Sequence, residues 1–154
     1  MTVARPQEPM TSARQQLMRL CADAEASELD TALAALGPVP DASDLRPAES
    51  GLVMLRGRMG GDGRRFNLGE ASVTRAAVRL ATGETGFAYQ LGRDPEKARK
   101  AAVLDALLQA PGRQEAVEAA LAPVARRLAS ERMTQARRTA ATRVNFFTMT
   151  RGED

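Results

Sequence analysis

The chain has 154 residues, enough for one domain with a buried core, and a formal net charge of +3 from 22 Lys and Arg against 19 Asp and Glu. It has no histidine and one cysteine, Cys21, which removes the commonest general base, ordinary zinc sites, Ser-His and Cys-His nucleophile pairs and any internal disulfide. No apolar run approaches the ~18 residues of a membrane span, and the first residues lack an apolar signal core, so the expectation is a soluble cytoplasmic protein.

Residues 1–11 read as a flexible tail. Ser12, with Gln15 three residues on, forms a capping-box signal, and Ala13, Leu17, Leu20, Cys21 and Ala24 recur on one helical face. Ser27 opens a second helical pattern, with Leu29, Ala32, Leu33 and Leu36 as its apolar stripe and Gly37-Pro38 as its stop. Residues 12–37 are therefore a predicted helical hairpin. Pro38 to Pro47 reads as a proline-rich linker, leaving 51–154 as an α+β core within a single domain.

From Gly51 the period becomes two. Leu52–Arg58 is a predicted strand, Gly60, Gly61 and Gly63 make a turn, and Phe66–Leu80 is a longer strand in which Gly69 signals a bulge or bend. After Thr82-Gly83, Thr85–Leu91 returns as a third strand carrying Phe87, Tyr89 and Leu91. Asp94-Pro95 is a helix start of N-cap plus Pro at the first helical position. The helix it opens runs to about Ala110 and is apolar nearly all round over Ala101–Leu108, which predicts deep burial with Asp105 as the exception. Another helix follows from about Gln114, with Pro123 marking a kink or break and Arg126, Arg127, Arg132, Arg137 and Arg138 along an amphipathic tail. Arg143–Thr150 alternates again and reads as a fourth strand. The expected architecture is α+β: a helical hairpin, then an antiparallel sheet of about four strands with two helices between the third and the last.

The cations are nearly all arginine, only Lys97 and Lys100 being lysine. Arg56, Arg58, Arg75 and Arg79 fall on strand faces among small or apolar neighbours, and Arg143 and Arg151 share a face of the last strand. Such faces suit either a partner protein or solvent. On Arg75 and Arg79 a partner's carboxylates and carbonyls fit a flat strand better than a free phosphate does. Interspersed acids and 3% aromatic content argue against nucleic acid. The Gly57–Gly63 run is not a phosphate loop, because Arg64 and Arg65 follow where Lys and Ser or Thr are needed, and a strand follows where a helix is needed. Asp62, Glu70 and Asp105 match no metal-loop spacing. Asp105 is expected to be structural, satisfied by an arginine or by backbone donors of the sheet.

Several stretches together resemble one family. They are Gly51-Leu-Val-Met-Leu-Arg-Gly-Arg-Met-Gly-Gly-Asp-Gly63, Phe66-Asn-Leu-Gly-Glu-Ala-Ser-Val-Thr-Arg-Ala-Ala-Val-Arg-Leu80, Leu91-Gly-Arg-Asp94, Asp105-Ala-Leu-Leu-Gln109 and Arg143-Val-Asn-Phe-Phe-Thr-Met-Thr-Arg-Gly-Glu153. In this order they are similar to the G subunit of the bacterial carbon–phosphorus lyase core complex. The resemblance implies partnership with the H, I and J subunits. It also implies a part, with the I, H and L proteins, in forming α-D-ribose 1-methylphosphonate 5-triphosphate from ATP and methylphosphonate. In that family the displacement of adenine belongs to the I subunit and the radical iron–sulfur cleavage to the J subunit. No catalytic residue, metal or cofactor is implied for the G subunit, and ATP is a substrate of the complex. The reading from a different class is a free-standing anion- or nucleotide-binding regulator with the arginine faces as its site.

Overall fold

A computed structural model describes residues 8–143. Helices α1 (Glu8–Asp23) and α2 (Ala26–Ala35) precede strands β1 (Ala42–Arg58), β2 (Arg65–Leu80) and β3 (Thr85–Leu91), and α3 (Pro95–Gln109) and α4 (Gln114–Ala141) complete the order. The architecture is α+β, with an antiparallel sheet in the order β1-β2-β3. The expected fourth strand, Arg143–Thr150, lies outside the described residues apart from Arg143. That residue directly follows α4, and its N–H donates to the Ala140 carbonyl of the last turn (3.2 Å).

Helix α3 is the centre of the molecule. Asp94 caps it by accepting from the Lys97 N–H (2.9 Å), and Pro95 occupies the first turn, where no N–H is needed. Ala98 and every residue from Ala101 to Leu108 are buried, because the sheet covers one side of α3 and helices α1, α2 and α4 cover the rest. The alternation of β2 and β3 supplies the sheet side: Thr74, Ala76, Val78 and Leu80 with Gly86, Ala88 and Gln90 face the helix and are buried. Thr74 fastens the sheet to the helix start, its hydroxyl donating to the Gly92 carbonyl (2.7 Å) and accepting from the Asp94 N–H (3.2 Å).

Several element boundaries differ from expectation. Helix α1 begins at Glu8, so Ser12 is helical rather than a cap. Helix α2 is capped at Glu25, whose N–H donates to the Glu28 carboxylate (2.8 Å), two residues ahead of Ser27. Helix α4 passes unbroken through Pro123. The bond lost there is the one to Ala119, and both residues lie on the exposed side, where water replaces it.

The largest difference is β1, which starts at Ala42 and takes in most of the proline-rich stretch expected to be a linker. Pro47 is accommodated because β1 is an edge strand and because the register with β2 shifts between Arg46 and Glu49. The expected irregularity at Gly69 is present: Leu55 pairs with Gly69 and Arg56 with Asn67, leaving Leu68 as the extra residue.

The α2–α4 contact is fixed by charge. The Arg127 Nε and Nη2 donate to the two Glu28 carboxylate oxygens (2.7 Å each), and Arg127 also pairs with Glu131 (2.8 Å). The fork of Arg127, with the Glu25 N–H second, pulls the Glu28 carboxyl from 4.5 down to about 2. A carboxyl whose value is depressed by folding contributes stability above its unfolded value and loses it as the pH falls through its folded one. The contribution is therefore expected to be complete above pH 4.5 and to vanish toward pH 2. Acid-unfolding curves check this: Glu28→Gln should flatten the profile in that window, and added salt should shrink the difference because the pair is partly exposed.

Candidate protein-docking surface

Among the described residues no helix lies flat on the sheet face opposite α3, and α1 borders it only along β3. Cross-strand register places Val73, Arg75, Ala77 and Arg79 of β2 beside Leu91, Tyr89, Phe87 and Thr85 of β3 on that face. Phe87 and Tyr89 are more than half exposed and Leu91 is 78% exposed. Adjacent large side chains left in water on a regular sheet face mark an interaction surface.

The predicted arginines do not form one cluster. Arg75 is on the open face, but its guanidinium is committed to Glu49 of β1 (Nε 2.9 Å, Nη2 2.9 Å), which also pairs with Arg46 (3.5 Å). Arg79 shares that face, is exposed, and makes no ion pair among the described residues. Arg56 and Arg58 lie near the far end of β1, away from the part of β2 that pairs with β3. Arg143 follows α4, and Arg151 lies outside the described residues.

Beside the open face is a groove of about 580 Å³ between α1 and the sheet, lined by Arg14, Met18, Ala77, Phe87 and Tyr89 and reaching Asp105. Asp105 is 2% exposed and accepts from the Arg14 Nε (2.8 Å), the Arg14 Nη2 (2.7 Å) and the Phe87 N–H (2.8 Å). Its hydrogen bonds and charge raise the Arg14 pKa above the ordinary value, against the opposing effect of burial. Each arginine lining this groove (Arg14, Arg46 and Arg75) thus already holds a carboxylate, so the groove offers no unpaired arginine to a small anion.

The glycine turn is a hairpin tip. Gly60 and Gly61 have φ of 59° and 85°, and the Gly63 N–H donates to the Met59 carbonyl (2.8 Å). A Cβ on Gly63 would overlap that same carbonyl oxygen, so glycine is required there for space. No helix follows, because Arg65 begins β2, and the phosphate-loop geometry is absent. Among the described residues no group of three or more His, Cys, Asp or Glu could hold a metal. Cys21 is fully buried, and burial pushes its thiol up to about 12, which removes it as a nucleophile.

Arg14 is the principal contributor that sequence reading missed. It lies 91 residues from Asp105, and nothing local in either segment signals the pairing. The open apolar row Phe87, Tyr89, Leu91 did carry a signal, its period of two.

Comparison with known proteins agrees with a role in a protein assembly. The family model described as "Phosphonate metabolism protein PhnG" matches residues 12–152, including the N-terminal helices. A protein of Rhizobium meliloti (strain 1021), named alpha-D-ribose 1-methylphosphonate 5-triphosphate synthase subunit PhnG, is 51% identical over 141 residues, covering 92% of this chain and 90% of that protein. The match takes in both long strands, the glycine tip and the central helix, and the chain belongs to the PhnG family of phosphonate metabolism proteins.

Proposed function

We propose that this chain is an accessory, non-catalytic subunit of a cytoplasmic carbon–phosphorus lyase core complex. It assembles there with the H, I and J subunits and, with the I, H and L proteins, supports the formation of α-D-ribose 1-methylphosphonate 5-triphosphate from ATP and methylphosphonate. The observation that carries this reading is the 51% identity, over 92% of the chain, to a protein named as a subunit of that synthase. The chemistry of the chain supports the accessory role: it has no histidine, its one cysteine is buried, and its groove arginines are paired. The open sheet face, with Phe87, Tyr89 and Leu91 in water, supports a partner-bound state.

The test is purification of the affinity-tagged chain from its native host. The other core subunits are expected to copurify, and the isolated chain is expected to release no adenine from ATP and methylphosphonate. Arg75→Ala/Arg79→Ala is expected to weaken coassembly while leaving ATP affinity of the assembled enzyme unchanged. A lone, stable monomer that binds nucleotide would overturn the proposal in favour of a regulator. Normal assembly with weakened ATP binding would move these two arginines to the substrate.

A further inference from the structure

The sheet is three strands wide only where β3 pairs with Val73–Arg79. Beyond that, among the described residues, Val53–Arg58 and Arg65–Ala71 pair with each other alone. At ~3.3 Å per residue this two-stranded ribbon reaches about 25 Å past the body. Among the described residues nothing covers its side chains: Leu52, Met54, Leu55, Phe66 and Leu68 are 41–66% exposed, and Met59 at the tip is 72% exposed. Leu52 and Met54 lie on one face and Leu55 on the other, so neither face of the ribbon is a water face. An isolated two-stranded ribbon is marginal in water, and one with apolar side chains on both faces needs a binding surface around it.

The charge at the tip says what kind of surface. In the body several cations are taken up internally, Arg14 by Asp105, Arg75 by Glu49, Arg99 by Asp44, Lys100 by Asp30 and Arg127 by Glu28, while others, Arg79 among them, make no ion pair among the described residues. On the ribbon, Arg56, Arg58, Arg64 and Arg65 gather toward the tip with one acid among them, Asp62, while the other acid of the stretch, Glu70, lies near its base opposite Met54. Among the described residues none of the four makes an ion pair.

We infer that residues 51–72 form an arm that inserts into a groove on a different subunit of the synthase, apolar along its length and lined with carboxylates where the tip ends. A second copy of this chain fits less well. Arms meeting symmetrically would bring their arginines together, and the open sheet face of a second copy presents Arg75 and Arg79 beside its apolar row. The groove's carboxylates match the guanidinium forks and steer the arm's entry, while its apolar walls take up Leu52, Met54, Phe66 and Leu68.

This inference rests on the subunit reading, and the experiment separates the two. A photo-crosslinking residue placed at Met59, in an otherwise wild-type tagged chain purified as the complex, is expected to join a peptide of another subunit containing Asp or Glu. Phe66→Glu/Leu68→Glu alters only exposed positions. It is expected to weaken coassembly at least tenfold with an unchanged circular dichroism spectrum. Arg58→Glu/Arg65→Glu is expected to slow association and reduce its salt dependence. Crosslinking to a second copy of this chain, or full assembly of the Phe66/Leu68 variant, would overturn the arm and leave the subunit reading standing. Failure of any other subunit to copurify with the wild-type chain would overturn both.

Discussion

Arg14→Ala is expected to destabilise the protein by about 3 kcal/mol, more than the removal of Asp105 itself. The asymmetry follows from burial: the Asp105 side chain is 2% exposed and that of Arg14 is 30% exposed. Removing the arginine leaves a buried carboxylate with only the Phe87 N–H, and water entering the vacated space keeps the loss at the lower end of the range for broken buried pairs. Removing the carboxylate frees Arg14 to turn to solvent and orphans only one backbone donor, a loss of about 1–3 kcal/mol for Asp105→Ala. Arg14→Ala/Asp105→Leu should then recover part of the Arg14→Ala loss, because no charge remains buried. Urea unfolding of the four proteins checks this. An Arg14→Ala variant as stable as the wild type would show that water alone satisfies Asp105.

Gly86→Ala is expected to be worse still. Gly86 lies where β3 presses onto α3, and a Cβ there would overlap the Ala102 carbonyl oxygen, with the Ala106 N at 2.5 Å and the Ala106 Cβ at 2.9 Å. Two of these three obstacles are backbone of a helix buried on all sides, so no rotamer change relieves them. The cost is expected to exceed the ~1–3 kcal/mol of ordinary overpacking. Gly51→Ala is the control, since a Cβ there meets nothing within 4 Å and should change stability by no more than about 0.5 kcal/mol. An unfolding midpoint for Gly86→Ala equal to that of Gly51→Ala would mean that β3 and α3 are further apart than described.

The parts of the fold that the sequence revealed are those with a local cause. Asp94-Pro95 announced α3, Gly37-Pro38 ended α2, Gly69 marked the bulge, and the all-round apolar run of Ala101–Leu108 anticipated a helix at the centre. What it hid depends on distant partners. Three prolines between Pro38 and Pro47 looked like a linker, yet an edge strand with shifted register absorbs Pro47 and extends β1 back to Ala42. That error carried into the candidate site. Glu49, left outside any predicted element, is the carboxylate that holds Arg75, so of the two arginines read as meeting a partner's carboxylates one already has a carboxylate from its own chain. The exposed arm was hidden for the same reason. Period two shows which side chains alternate but not whether a third strand or a helix covers them, and β3 ends at Leu91 opposite Val73.

The grip of α3 on β3 also limits what the sheet can become. Gln109 Nε2 donates to the Thr85 carbonyl (2.8 Å) and Asp105 accepts from the Phe87 N–H (2.8 Å). These are backbone groups on the outer side of an edge strand, the positions a foreign strand would use to add itself to the sheet. With a carboxamide and a charged, arginine-clamped carboxylate seated there, an approaching chain must displace both before it can ladder along Thr85–Phe87. A protein that carries bare aromatic residues on one sheet face has reason to keep its edge closed in this way, because strand addition in register along β3 would turn that sticky face into a growing fibre.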